Sequence, residues 1–132
     1  MEKRPLRVFI DSNVILSGLL SDKGAPRIIL NLLSLGLRLF VGLTGRYNLI
    51  EIERNLRKKM TRIVSVYEVY FPKLNLKIIP VPRKENLKEY FGKIADKDIP
   101  VLVSALRGKA DFLVTGDKQH FEKLKIRGEY PP

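Results

Sequence analysis

Four acidic residues fall where a fold of alternating strands and helices brings carboxylates together. Asp11 directly follows the apolar run Leu6–Ile10, and Asp117 follows a second short apolar run late in the chain. Asp98 opens a predicted helix, and Glu51 lies in the first turns of another. Residues just past the carboxyl ends of parallel strands line the binding crevice of an open sheet. The spacing therefore predicts that these carboxylates face one crevice.

A cluster of carboxylates without basic partners is unstable by itself, because like charges raise one another's pKa. A bound cation removes that repulsion. The chain has no Cys and a single His, so a thiolate site or a site built on several histidines is excluded within one chain. Oxygen ligands select a hard cation, Mg²⁺ or Mn²⁺. Such a cation activates water and stabilises a leaving oxygen, so the pattern indicates phosphodiester hydrolysis.

Each acid also has an ordinary structural interpretation. Asp11 and Asp98 stand where an aspartate caps the start of a helix. Asp117 follows Gly116, which is typical of a turn, and Glu51 pairs readily with nearby basic residues on a helix. Taken singly, these interpretations are favoured. The placement of all the acids at one predicted sheet edge favours the metal site instead.

Two ligand assignments stay open at this point. On a helical wheel Glu53 lies nearer the apolar stripe than Glu51, whereas the spacing of the neighbouring apolar residues favours Glu51. Asp96, two residues before Asp98, is either an auxiliary ligand or a helix cap.

The chain is strongly basic. Its 132 residues include 25 Lys and Arg against 14 Asp and Glu, a formal net charge of +11. This excess favours a polyanionic partner such as RNA, although an ordinary basic surface gives the same count. The candidates for RNA contact, which otherwise belong to a solvated surface, are Arg46, Arg54, Arg57, Lys58 and Lys118.

The length of the chain and the pattern of its apolar residues limit the possible number of domains and the possible fold classes. The length predicts a single domain over residues 1–132. No apolar stretch is long enough to span a membrane and no secretory leader is evident, so we expect a soluble cytoplasmic protein without a membrane partner. Strands alternating with helices indicate the α/β class, three layers deep, with a mainly parallel central sheet.

The individual elements follow from runs and periodicity. The predicted strands are Leu6–Ile10, Leu37–Leu43, Leu74–Val81 and Phe112–Thr115, and the tail Leu124–Pro132 is either a last strand or a loop. The predicted helices are Asn13–Leu20, one opened by Pro26 and closed by Gly36, one from Arg46 with a break near Thr61 and a continuation ending before Pro72, Lys84–Ile94, and Ile99–Leu106.

Four segments together resemble the PIN-domain family and occur in the family's order. They are VFIDSNVILSGLL (Val8–Leu20), LIEIERNL (Leu49–Leu56), DIPVLVSAL (Asp98–Leu106) and ADFLVTGDKQHF (Ala110–Phe121). The resemblance implies a Rossmann-like α/β/α fold, cleavage of RNA that depends on Mg²⁺ or Mn²⁺, and homo-oligomers, either dimers or tetramers.

The family's acidic positions match Asp11, Glu51, Asp98 and Asp117, which the resemblance implies as metal ligands and catalytic residues. Asp98 is favoured over Asp96 by the family's spacing. Asn13 and Thr115 match polar positions that orient the acids or metal-bound water, and Ser12 stands where Thr is more usual.

Several roles are compatible with this resemblance. Some PIN domains are toxins with an antitoxin protein as partner, and others process RNA. The alternative is a non-catalytic RNA-binding or scaffold protein of the same fold, against which the retention of all the acids argues. Phosphatases of the haloacid dehalogenase type are disfavoured because they require an aspartate where this chain has Asn13.

Overall fold

The computed structural model of the protein describes residues 4–116, with a parallel sheet at its centre. The predictions for Asp117, Lys118 and the tail Leu124–Pro132 lie outside the described residues. The strands are β1 (Leu6–Ile10), β2 (Phe40–Gly45), β3 (Lys77–Ile79) and β4 (Phe112–Val114). They are arranged in the order β3-β2-β1-β4, and every neighbouring pair is parallel.

The helices end where the sequence breaks helical geometry. Pro26 lies in the first turn of its helix, where a missing N–H is tolerated, and Gly36 adopts a φ of +65° just past the end. Met60 interrupts the next pair with φ −142° and ψ 56°. The helices are α1 (Ser12–Leu20), α2 (Ala25–Ser34), α3 (Arg46–Lys59), α4 (Thr61–Tyr70), α5 (Lys84–Leu87) and α6 (Ile99–Arg107). Within residues 4–116, no helix has the length and apolar character needed to cross a membrane.

The central strand β1 supplies apolar side chains to both faces of the sheet, because successive residues of a strand point in opposite directions. Ile10 belongs to the core formed with α1, α2, α3 and α4, whereas Phe9 belongs to the core formed with α6. Both residues are fully buried. Helices therefore cover both faces, and the predicted three-layer α/β/α class with a parallel sheet is confirmed.

The order of the strands creates a switch point between β1 and β4. From β1 the chain crosses to β2 and β3 on one side, and after α6 it returns to β4 on the other side. Ile10 is paired with Val114, so the residues that follow them, Asp11 and Thr115, are neighbours across the sheet edge. Open α/β sheets form their binding crevice at such a point.

Two strand predictions were displaced. The second strand is Phe40–Gly45 rather than Leu37–Leu43, because the turn that follows Gly36 continues until Leu39, which is 75% exposed. The third strand is Lys77–Ile79 rather than Leu74–Val81. Its predicted start is instead the 3-10 helix Phe71–Leu74, which ends at a left-handed Asn75.

The predicted helix Lys84–Ile94 was wrong beyond its first turn. Only α5 (Lys84–Leu87) is α-helical, and a 3-10 turn, Lys88–Tyr90, follows it. Gly92 then takes a φ of +83°, which ends helical geometry, and Phe91 forms an isolated bridge with Ile94. The 3-10 turn Asp96–Asp98 leads into α6.

Asp111 ties the start of β4 to β1. The backbone N–H of Arg7 donates to its carboxylate at 2.8 Å, and the Arg4 guanidinium donates to both oxygens at 2.6 and 3.1 Å. The hydrogen bond from the Arg7 N–H has the largest effect and the contacts with Arg4 add to it, so the pKa of Asp111 lies below its ordinary value of 3.8. The aspartate therefore has a structural role, since it joins the beginning of β4 to β1.

Asp111→Asn should lower the free energy of unfolding at neutral pH and have a smaller effect in strong acid. A lowered pKa in the folded state gives stability that is present above the ordinary pKa and is lost as the pH falls through the lowered value. Thermal unfolding of both proteins from neutral to strongly acidic pH measures this. Asp22→Asn, in the exposed loop after α1, is the matched control. A stability gap that does not shrink in acid would contradict the prediction.

Candidate metal and nuclease site

Asp11 lies at the carboxyl end of β1 and serves as the N-cap of α1. One carboxylate oxygen accepts hydrogen bonds from the backbone N–H of Ser12 at 2.7 Å and from the side-chain amide of Asn48 at 3.0 Å. The other oxygen accepts from the hydroxyl of Thr115 at 2.7 Å. The ordinary capping role and the predicted position in the crevice thus occur together at this residue.

Three of the predicted acids line one cavity of about 160 Å³ beyond the switch point. They come from three separate segments: Asp11 follows β1, Glu51 lies in α3, and Asp98 immediately precedes α6. The other lining residues are Ser12, Asn13, Leu16, Asn55, Lys97 and Val101. Asp117 lies outside the described residues, so its place relative to this cavity is not described.

The structure separates the two candidate glutamates of α3. Glu51 faces the cavity with Asp11. Glu53 accepts a hydrogen bond from the hydroxyl of Tyr67 at 3.4 Å and lines a different cavity with Arg57. Burial and the negative charge of Glu53 raise the pKa of Tyr67 to about 12.

The two aspartates before α6 also differ. Asp98 is buried and lines the cavity, and its side chain makes no capping hydrogen bond to α6. Asp96 is exposed at the start of the 3-10 turn and is absent from the residues that line the cavity.

Three of the predicted auxiliary residues, Ser12, Asn13 and Thr115, lie around Asp11. The side-chain oxygen of Asn13 accepts from the backbone N–H of Gly116 at 3.2 Å, which joins the start of α1 to the loop after β4. The hydroxyl of Ser12 donates to the backbone carbonyl of Asn48 at 3.5 Å. The hydroxyl of Thr115 donates a hydrogen bond directly to the Asp11 carboxylate. The Thr115 contact acts with those from the Ser12 N–H and the Asn48 amide to orient the Asp11 carboxylate.

The electrostatics of the cavity favour a cation. Burial raises the pKa of Asp11, and the negative charges of Glu51 and Asp98 raise it further. The hydrogen bonds from Thr115 and Ser12 act in the opposite direction. Burial and the same two acids also raise the pKa of Tyr47. Positive charge placed in the cavity would relieve these costs.

The donor set fits a hard divalent cation, since carboxylate, hydroxyl and amide oxygens line the cavity. Among residues 4–116, no group of three acidic or histidine side chains lies close enough together to hold a metal ion as positioned. Repulsion between the carboxylates opposes a closer approach. A bound cation would therefore draw these side chains together.

The predicted RNA-contact residues lie on more than one side of α3. Arg46, Arg54, Arg57 and Lys58 are all exposed. Arg54 and Lys58 follow Glu51 by three and seven residues, which puts them on the cavity side of the helix. Arg57 lines the second cavity beside Glu53, and Lys118 lies outside the described residues.

Sequence reasoning missed Asn48 and Asn55. Asn55 lines the cavity one turn after Glu51. Asn48 is fully buried and bonds Asp11. Its spacing of four residues from Ile52, and of eight from Leu56, places an amide on the buried stripe of α3, which is the signal that would have revealed it.

The arrangement is a parallel α/β sheet with acids gathered beyond its switch point, which is where open sheets of this kind bind their ligands. The family model described as PIN domain matches residues 7–119, so the chain belongs to the PIN-domain family. No curated protein matches the sequence at a significant level. PIN domains are generally nucleases that depend on divalent metal ions. The family resemblance identified from the motifs is therefore confirmed.

Glu51→Gln should stabilise the protein in the presence of a chelator, by a few tenths to about 1 kcal/mol at neutral pH. The substitution keeps the shape of the side chain and removes one of the charges that raise the pKa of Asp11. Chemical unfolding of wild type and variant measures the difference, which should shrink as acid protonates the carboxylates. Glu53→Gln is the matched control and should give no gain. A destabilised Glu51→Gln variant would show that repulsion in the cavity is unimportant.

Proposed function

We propose that this PIN domain is a ribonuclease that hydrolyses RNA phosphodiester bonds with Mg²⁺ or Mn²⁺. The observation that carries the proposal is the convergence of Asp11, Glu51 and Asp98 on one cavity at the switch point of the sheet. Asp117 is proposed as the fourth ligand, on the family pattern. Asn13, Ser12 and Thr115 are proposed as orienting residues, and Asp96 at most as an auxiliary one.

The proposed chemistry divides between the cation and the chain. When bound, the cation supplies an activated water and neutralises charge on the phosphate. The chain holds Asp11 in one orientation through its hydrogen bonds. Lys97, which lines the cavity among the acids, is proposed to contact a phosphate oxygen.

The basic surface supports RNA as the substrate. A net charge of +11 attracts a polyanion, whereas the acids of the cavity repel one unless a cation is present. Arg54 and Lys58 lie on the same side of α3 as Glu51, so they are the strongest candidates for a phosphate track that leads to the cavity. Arg46 and Arg57 are weaker candidates, since they lie on the side of Glu53 and Tyr67.

The proposal also covers the biological role of the protein and its oligomeric state. A toxin with an antitoxin partner and an RNA-processing nuclease both fit the family, in a cytoplasmic setting. A homo-oligomer, either a dimer or a tetramer, is supported by exposed apolar side chains such as Ile28, Leu35 and Leu39.

Asp11→Asn should reduce RNA cleavage at least about 100-fold, because loss of a ligand exceeds the tenfold to hundredfold effect of losing an outer partner. Cleavage of single-stranded and structured RNA with Mg²⁺ or Mn²⁺ measures this, and a chelator should abolish wild-type activity. Glu53→Gln serves as the control and should retain activity. Equal activity in wild type and Asp11→Asn would refute the assignment. RNA binding without cleavage in either protein would favour the scaffold alternative.

Removing the charges of Arg54 and Lys58 should weaken RNA binding more than removing those of Arg46 and Arg57. The double variants Arg54→Gln/Lys58→Gln and Arg46→Gln/Arg57→Gln lose the same net charge, so nonspecific attraction falls equally. If Arg54 and Lys58 each contact a phosphate, their double variant should also have a slope of log K against log salt concentration that is less steep by about two. Binding titrations at several salt concentrations test this. Equal effects of the two pairs would contradict a track on the cavity side.

A further inference from the structure

Asn48 connects two of the proposed ligands. It lies in the first turn of α3, less than one turn before Glu51, and is fully buried. Its side-chain amide donates one hydrogen bond to Asp11 at 3.0 Å and another to the hydroxyl of Ser12 at 2.8 Å. Both amide hydrogens are therefore used at the start of α1. The contact joins the helix that carries Glu51 to the residue that caps α1.

The orientation of this amide follows from its partners. A rotated amide would direct its oxygen at the Asp11 carboxylate, and two acceptors would then repel. The hydroxyl of Ser12 in turn donates to the backbone carbonyl of Asn48 at 3.5 Å. This reciprocal pair and the bond to Asp11 leave the amide one stable arrangement.

The oxygen of the Asn48 amide, on the side away from Asp11, lies in a less favourable environment than its nitrogen. The side-chain oxygen of Asn48 is buried without a hydrogen-bond partner, as is the hydroxyl of Ser104. Such buried, unsatisfied groups reduce stability. The flanking positions of the buried stripe hold Leu49, Ile52 and Leu56, so an apolar residue would meet the packing requirement. The role of the amide therefore lies in its hydrogen bonds to Asp11 and Ser12 and not in packing.

Gly45 provides the room that Asn48 needs. A Cβ at position 45 would lie 2.7 Å from the Asn48 side-chain oxygen and 3.0 Å from the Ser104 hydroxyl. The backbone of Gly45, at φ −91° and ψ 148°, is open to any residue, so the glycine is required by space and not by conformation. A larger residue would displace an amide that has no free space around it.

We propose that Asn48 is a positioning residue, which fixes Asp11 relative to Glu51 so that both carboxylates can hold one divalent cation. The inference rests on the proposed metal-dependent function and adds to it a residue outside the acidic set. Asn48 acts through Asp11 and need not touch the substrate. Outer partners that orient a ligand in this way commonly contribute strongly to metal affinity.

The test measures Mn²⁺ alone, by calorimetric titration of the protein without RNA. Asn48→Leu and Asn48→Ala should each weaken Mn²⁺ binding by about 10- to 100-fold. Ser104→Ala removes another buried polar group that makes no hydrogen bond to Asp11, so it should change the affinity far less than the roughly tenfold or larger effect of losing an outer partner. RNA cleavage by the same proteins is measured in parallel.

Thermal unfolding with a chelator separates positioning from a merely structural role. Asn48→Leu should change the midpoint little, because loss of a donor to Asp11 is offset by loss of the unsatisfied oxygen. A lowered midpoint with unchanged Mn²⁺ affinity would show that Asn48 is only structural. If wild type binds Mn²⁺ and both Asn48 variants bind it equally well, the inference fails while the metal proposal stands. If wild type binds no Mn²⁺ and cleaves no RNA, both fail together.

Gly45→Ala keeps the test decisive if the Asn48 variants do not fold. The added methyl group displaces the amide without removing it, so Mn²⁺ affinity should fall. Where Asn48→Ala does fold, a double-mutant cycle adds a second check, in which Gly45→Ala should have much less effect on Mn²⁺ affinity in the Asn48→Ala background. Equal effects in both backgrounds would show that Gly45 does not act through Asn48.

Discussion

The site depends on holding the carboxylate of Asp11 in a buried place that other negative charges share. Burial and the charges of Glu51 and Asp98 all disfavour its ionised form. Three donors, from Ser12, Asn48 and Thr115, offset part of this cost. They come from α1, from α3 and from the loop after β4. The position of one charge therefore constrains three separate parts of the chain.

The parallel sheet makes this convergence possible. Pairing of Ile10 with Val114 places Thr115 beside Asp11, and the same switch point receives Glu51 and Asp98 from their helices. An antiparallel arrangement would send alternate strand ends to opposite edges of the sheet. The two apolar cores hold these strand ends in register, since β1 is packed on both faces. The packing of the core thus determines the spacing of the acids.

The sequence predicted those parts of the fold that local signals determine. The strand ending at Asp11, the proline start of α2 and the break at Met60 all depend on neighbouring residues, and they lie where predicted. The span 84–94 was misassigned because its apolar spacing resembles a helix, whereas Gly92 ends helical geometry. The region around Leu74 alternates like a strand but packs as a 3-10 turn, since tertiary contacts override a short pattern.

The same distinction explains what could be predicted of the site. An acid that follows a strand or opens a helix is visible in one sequence because strand and helix ends are locally encoded, which is why Asp11 and Asp98 could be proposed from the sequence. The choice of Glu51 over Glu53 depends on the rotation of α3 against its neighbours, and no single helix determines its own rotation. Asn48 was missed for a related reason, because an amide on an apolar stripe acquires its role only from the residue that it meets across the core.

Helix α3 shows how one element can carry opposing electrostatic requirements. Its buried side holds Leu49 and Ile52, one polar side carries Glu51, and exposed basic residues cover much of the remainder. A row of basic residues beside the acids would pair with them and cancel the field that attracts a cation. Lys58 lies about two turns beyond Glu51, whereas Arg54 is three residues from Glu51 and Lys97 lines the cavity itself. Asn55, which is neutral, lies between Glu51 and Lys58 on the helix and lines the cavity, so the acidic and basic parts of α3 adjoin at this wall.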